Sequence, residues 1–412
     1  MSEALPFPTA NGRRVEQDIL SMLDHALPLV LMFKLSGAWF HQSFTPSDTA
    51  PGLALVNALF LAFCLYGTLR LLFTRAGALL ADPAYGAFLL FAAASLWWSV
   101  SPWNSMGMLR TALLFFGACL FIRHRFSPAY ITRLFVAVLG LLLLLSIAAA
   151  LLTPIGVMPG FDAGRWRGLF NHKNTLGENA AVTLIVALGL SLTTEQRLWP
   201  ALVALVSAIC LLKSGSATAL AAGGGACLIL LLAWTIVRLR IIRQQGLWLL
   251  LGMLACASLA GYAIMPPLAA SLGRDLTFTG RTEIWHQFLH FAHQRPWTGW
   301  GWATISTTDH MLPIIRQTLS LPHIQTPHSG YLSLLVELGY PGLLLFLGWL
   351  ALTTLRASRS AVLERNGFGL IALAIACALA IHSAFESTSG ALPSLWLLLL
   401  FTLGPRITIR LR

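Results

Sequence analysis

Apolar positions in this chain do not alternate with polar ones at strand spacing. They run on in blocks of about twenty, the length that lets a helix cross a bilayer. Residues 134–152 and 247–265 hold no charge at all. Read with the glycine, proline and charge clusters between blocks, the pattern predicts about twelve transmembrane helices. Their limits fall at 22–41, 52–73, 83–100, 106–122, 134–152, 174–193, 198–213, 218–237, 247–266, 330–352, 367–384 and 391–404. The expected fold is an all-α polytopic membrane protein, a single integral membrane domain over residues 1–412. One connection, 267–329 between the ninth and tenth spans, is far longer than the rest, and long loops tend to carry function. Within it, Gly280 to Trp285 opens an amphipathic helix that runs to about Gln294. Ile284, Trp285, Phe288, Leu289 and Ala292 form its apolar face, a pattern suited to lying on a bilayer surface. Pro296, Gly299 and Gly301 end it.

Composition removes the alternative of a large soluble core. Of 412 residues, 57% are hydrophobic and 10% charged, where a soluble protein carries about a quarter charged. Arg13 and Arg14 precede the first block, but Glu16, Asp18 and Asp24 accompany them and no small-residue cleavage site follows, so that block reads as a retained span. The six cysteines all sit inside apolar blocks and read as small core hydrophobes.

The net charge of +12 is explained largely by topology. With the N-terminus inside, most lysines and arginines fall on the cytoplasmic side, in short loops such as 123–133, 238–243 and 356–365. This satisfies the positive-inside rule, places both termini in the cytoplasm of a cell with an inner membrane, and leaves no charge that calls for nucleic acid. Two outer loops are basic against that trend: 153–173, with Arg165, Arg167 and Lys173, and the large periplasmic loop 267–329, with Arg274, Arg281, Arg295 and Arg316. Their chemistry therefore points to the outer face.

The first of these loops closes on Arg165-Trp-Arg167-Gly-Leu-Phe-Asn-His172-Lys173-Asn174-Thr175-Leu-Gly177. Asn174 or Thr175 is placed to cap the sixth span. Arginine, lysine and a helix N-terminus together make an anion cradle suited to phosphate, with a snorkelling interfacial cluster as the plain alternative. The long loop closes on Pro327-His328-Ser329-Gly330, and His328 stands at the outer mouth of the tenth span, where an imidazole accepts protons near neutral pH. His286, His290 and His293 share helical spacing but lack a carboxylate or cysteine at ligand spacing, and read as a wet helix face. Lys34, Arg110, Glu178 and Glu337 lie inside spans and are functional candidates on that ground, with structural pairing as the alternative; Glu337 could pair with a cation.

His328-Ser329, nine residues, Gly339, two residues and Gly342 resembles the His-[Asn/Ser/Gln]-x9-Gly-x-x-[Gly/Thr/Tyr] signature of the O-antigen ligase family. The Arg167–Gly177 and Gly280–Trp285 blocks are similar to two further blocks of that family, and Trp98-Ser-Val-Ser-Pro102 to an earlier element. One departure is Lys213-Ser-Gly-Ser216-Ala-Thr218, where many members carry an arginine after the second serine. The resemblance implies transfer of O-antigen polysaccharide from an undecaprenyl diphosphate carrier to a sugar hydroxyl of lipid A-core, among membrane lipids and at the periplasmic face. It implies His328 as general base. Arg281 and Arg167 then rank first for neutralising the departing diphosphate, with Arg165, Lys173 and Lys213 beside them. Direct displacement would invert the anomeric centre. The chain holds no Asp-x-Asp pair, and fixed guanidinium groups can do a divalent ion's part, so neither metal nor cofactor is expected. A polymerase using the same carrier is the nearest alternative. A transporter is less favoured, because its polar site would lie near the midplane.

Overall fold

The computed structural model describes residues 10–38, 53–239, 281–305, 311–320, 324–387 and 392–404. The predicted span 247–266, Cys256 and loop residues 267–280 lie outside them. The helices are α1 (Ala10–Ser36), α2 (Leu53–Arg75), α3 (Pro83–Ala94), α4 (Pro102–Arg125), α5 (Pro128–Leu152), α6 (Lys173–Thr193) and α7 (Leu198–Ser214). They continue with α8 (Ala217–Arg238), α9 (Arg281–Gln294), α10 (Met311–Leu319), α11 (Gly330–Val362), α12 (Gly367–Phe385) and α13 (Leu395–Leu403). Among the described residues there is no strand, only an isolated bridge between Val157 and Trp166. Eight of the described helices are long and apolar enough to cross a membrane. Each predicted span inside the described residues coincides with a helix. Those at 83–100 and 391–404 are shorter than expected: α3 gives way to a 3-10 turn at Ser95–Trp97, and α13 has nine residues.

Local chemistry sets the boundaries. Ser127, Ser216, Ser329, Asn366 and Ser394 each accept an amide of the first turn of α5, α8, α11, α12 and α13. α6 and α12 are the most enclosed spans, and α13 is buried along its whole length, so protein replaces lipid around it. Leu55, Phe73, Leu90, Leu144, Leu205 and Leu344 are exposed, as lipid-facing side chains are. At the end of the bundle expected to be cytoplasmic, buried Asp24 joins three helices by accepting from Tyr66 and Arg70 of α2 and Arg125 of α4.

The feature that shapes the opposite end is a break in α11. Gly339 leaves the helix at φ 65° and ψ −170°, and Pro341 follows it. Pro341 has no N–H to give to the Glu337 carbonyl four residues back. That carbonyl accepts instead from Gly301 N at 2.9 Å. Tyr340 N turns to Pro296 O at 2.8 Å, and the Val336 carbonyl it would have served accepts from Trp300 N at 3.0 Å. The segment after α9 is thus stitched into a membrane helix. The same segment binds the α3–α4 turn: Val100 N gives to Trp300 O, Trp98 Nε1 to Thr298 O, and Ser105 Oγ to Trp302 O. Glu337 was a candidate for cation pairing. The backbone amides of Ala303, Thr304 and Ile305 face its carboxylate instead.

This anchoring corrects the expectation for α9. Ile284, Phe288, Phe291 and Ala292 are buried against Met311 and Ile315 of α10 and Val336 of α11, while Leu289 is exposed. The apolar face rests on protein rather than on a bilayer surface, because the broken end of α11 presents an apolar platform to it. His286, His290 and His293 are exposed on the other face.

Candidate active site

Chain ends and turns from four elements meet at the end of the bundle opposite Asp24. Arg281 opens α9, His328 stands immediately before the cap of α11, Asn174 lies in the first turn of α6, and Glu386 follows the last residue of α12. Glu386 is the residue they share. Arg281 Nη2 lies 3.3 Å from its Oε1, and Asn174 Nδ2 gives to the same oxygen at 3.2 Å. His328 Nδ1 faces the other oxygen, Oε2, at 3.6 Å. The backbone repeats the tie: Arg281 Nη1 gives to Phe385 O at 2.6 Å, and Gly330 N gives to Glu386 O at 3.0 Å.

A second carboxylate sits beside the first. Asp162 takes Lys173 Nζ at 2.6 Å and Arg165 Nη1 at 2.8 Å. Lys173 and Asn174 are consecutive, so one turn of α6 serves both carboxylates. Between them His172 caps α6, its Nδ1 accepting from Asn174 N at 3.2 Å. The cap was expected at Asn174 or Thr175. Both lie inside the helix, and the Asn174 side chain is drawn to Glu386.

A carboxylate can only accept, so the placement of Glu386 Oε2 3.6 Å from His328 Nδ1 favours the proton on Nδ1 over the second ring nitrogen. His172 has the reverse assignment, since an Nδ1 that accepts leaves Nε2 as the N–H. Burial, and then the Lys173 charge, push the His172 pKa down and keep the ring neutral. Burial pushes the Glu386 carboxyl up, but the facing His328 ring and the Arg281 charge outweigh it and hold it below the usual range. Asp162 follows the same balance, with burial opposed by Lys173 and Arg165. The sign for stability follows. A lowered folded pKa makes the Asp162 contribution complete above the ordinary carboxylate range, and it is lost as pH falls through the lower folded value. We expect the difference in thermal midpoint between wild type and Asp162→Asn to shrink as the purified protein is taken below about pH 4. An undiminished difference there would contradict the pairing.

The sequence candidates are therefore distributed unevenly. His328 and Arg281 converge on Glu386, and Arg165 and Lys173 on Asp162. Lys213 is exposed at the end of α7, its Nζ 5.7 Å from the centre of the Trp166 ring, and its carbonyl takes Trp166 N. Arg167 is buried and gives Nε to Ile155 O at 2.7 Å, with its own N–H on Gly156 O, so its guanidinium is engaged in the fold of its own loop. Of the polar residues inside spans, Glu178 accepts from Trp396 Nε1, and Arg110 is exposed on α4. The residue that sequence reasoning missed is Glu386. A signal existed: it is the only acidic residue after Glu364, and it stands directly after the apolar block 367–384.

The arrangement offers a proton-accepting imidazole, a guanidinium within reach of the same carboxylate, and a cluster in which cations outnumber carboxylates. Such a surface can activate a hydroxyl beside a bound phosphate. Residues 202–347 match the family model described as O-antigen ligase. No curated protein matches the chain.

Proposed function

We propose that this membrane protein, which matches the O-antigen ligase family model over residues 202–347, carries out inverting, metal-independent glycosyl transfer from undecaprenyl diphosphate-linked O-antigen to a sugar hydroxyl of lipid A-core. The reaction takes place at the periplasmic face of the inner membrane, with both termini in the cytoplasm. The observation that supports this reading most is the sharing of one carboxylate, Glu386, by the His328 imidazole and the Arg281 guanidinium.

The roles follow from charge. Diphosphate is already a good leaving group, so the transition state needs its growing negative charge neutralised more than it needs a proton. Arg281 can bind phosphate oxygens in a fork, and Lys173 and Arg165 extend the positive surface beside it. Arg167 supports this surface from within its loop, and Lys213 lies at its edge. The acceptor hydroxyl is a weak nucleophile, and His328 takes its proton as the new glycosidic bond forms. The bond between the anomeric carbon and the phosphate oxygen breaks in the same step, which inverts the anomeric centre.

A deletion strain complemented with wild type, His328→Ala or Arg281→Ala tests the reading on a lipopolysaccharide gel. Loss of a ligase leaves bare lipid A-core while long glycan accumulates on the carrier. Single repeat units capping the core would instead identify a polymerase. Purified protein is expected to transfer glycan in detergent with EDTA present at an undiminished rate. Activity abolished by EDTA and restored by a divalent ion would end the metal-independent part of the proposal.

A further inference from the structure

We propose that Glu386 is the positioning residue of this site: its two carboxylate oxygens divide the work, one holding Arg281 and the other setting the tautomer of His328. The inference rests on the glycosyl-transfer reading above. It goes further by naming the group that makes an exposed histidine into a directed base.

Oε1 receives Asn174 Nδ2 at 3.2 Å and lies 3.3 Å from Arg281 Nη2. Both partners can only donate through those atoms, so Oε1 must remain an acceptor. Oε2 faces His328 Nδ1 at 3.6 Å. That placement favours Nδ1 as the protonated nitrogen and leaves the lone pair on the ring nitrogen that does not face Glu386. The backbone keeps the carboxylate in place, because Glu386 N is bound to His382 O and Glu386 O to Gly330 N. Glu386 itself is largely covered while His328 is more open, with side chains 15% and 42% exposed. This is the order expected of an orienting group behind a reacting one. During transfer the proton from the hydroxyl moves to that nitrogen, and the imidazolium that forms is stabilised by the carboxylate already at Nδ1.

The geometry makes Glu386→Gln an informative change. The glutamine oxygen must take the Oε1 place, since Asn174 and Arg281 both donate there. Its NH2 is then forced toward His328 Nδ1, where it selects the tautomer protonated on the other ring nitrogen, which cannot act as a base. Arg281 keeps its acceptor. The expected result is a fall in kcat of about 10²–10⁴-fold, with the KM for the lipid-linked donor within about threefold. Glu386→Ala removes both functions, so kcat falls and KM rises. Formate added to purified Glu386→Ala in detergent is expected to recover activity in a concentration-dependent way, and wild type with formate is the control. Rescue of this kind cannot come from a variant that has failed to fold.

The outcomes separate the two claims. If His328→Ala and Arg281→Ala are inactive while Glu386→Gln has wild-type kcat, the positioning role is wrong and the glycosyl-transfer reading stands. If His328→Ala is active, the reading itself falls. If Glu386→Gln does not give a monodisperse peak on gel filtration, Glu386→Ala decides: rescue by formate supports the proposal, and a folded, monodisperse Glu386→Ala that formate leaves inactive overturns it.

Discussion

Glycan transfer by His328→Ala protein is expected to fall about 10²–10⁴-fold, the usual contribution of a positioned general base. The loss should appear in kcat, with the thermal midpoint in detergent close to wild type. The second half of this expectation comes from exposure. The His328 side chain is 42% exposed, so removing it opens no cavity in the core. Its backbone is another matter. His328 has φ +51°, a left-handed conformation that side chains other than glycine, asparagine and aspartate adopt at some cost. Such strain persists where the surroundings impose it, and here the Ser329 cap and the Gly330–Glu386 hydrogen bond do so. His328→Asn therefore serves as the control, because asparagine tolerates the left-handed backbone but has no basic nitrogen. Equal loss in the alanine and asparagine variants would assign the effect to the imidazole. Full activity in the asparagine variant would show that only the turn matters and would remove the catalytic base.

The comparison of sequence with structure divides along the range of the forces involved. The long apolar helices, eight of them able to cross a membrane among the described residues, were legible because run length and hydropathy are local quantities, and a bilayer imposes the same requirement on each helix separately. The caps at Ser127, Ser216 and Ser329 depend on neighbours two or three residues away and were open to the same reading. The short helices were less legible. The nine residues of α13 are apolar on every side, and nothing in that block tells whether lipid or protein surrounds it. α9 was read correctly as amphipathic but assigned the wrong partner, since its platform is made by a break in a helix some fifty residues later. The site shows the same division. His328 and Arg281 were identified through motif blocks, but the carboxylate that joins them comes from a turn with no motif, and only the packing of α12 against α6 and α11 brings it there. Asp162 was visible as part of a charged loop, yet its pairing with Lys173 spans eleven residues and a turn between them.

Gly339 belongs to the signature that flagged His328, and Gly339→Ala is expected to destabilise the protein and abolish transfer together. Its φ of 65° with ψ of −170° lies in a region essentially reserved for glycine, and strain alone would cost about 1–3 kcal/mol. A Cβ there would also lie 2.5 Å from Pro296 O and 2.8 Å from the Trp297 carbonyl carbon, both of them backbone atoms that cannot rotate aside. Gly299 presses from the other side, at φ 64°, where a Cβ would meet the Glu337 carbonyl. The two glycines let the segment after α9 lie against the broken helix, where Gly301 N supplies the amide that Pro341 lacks. If the helix straightens, the Glu337 carbonyl loses Gly301 N in a buried setting, where an unmatched polar group costs about 1–3 kcal/mol. If the segment withdraws instead, α9 loses its anchor, and Arg281 at its start loses its fixed distance to Glu386. Gly348→Ala provides the contrast: it lies in the same helix, a Cβ there meets nothing within 4 Å, and the change should leave the thermal midpoint the same or slightly higher. A Gly339→Ala protein with wild-type midpoint and wild-type transfer would mean that the break does not hold the site. A midpoint that falls while transfer per folded molecule is unchanged would confine its role to stability.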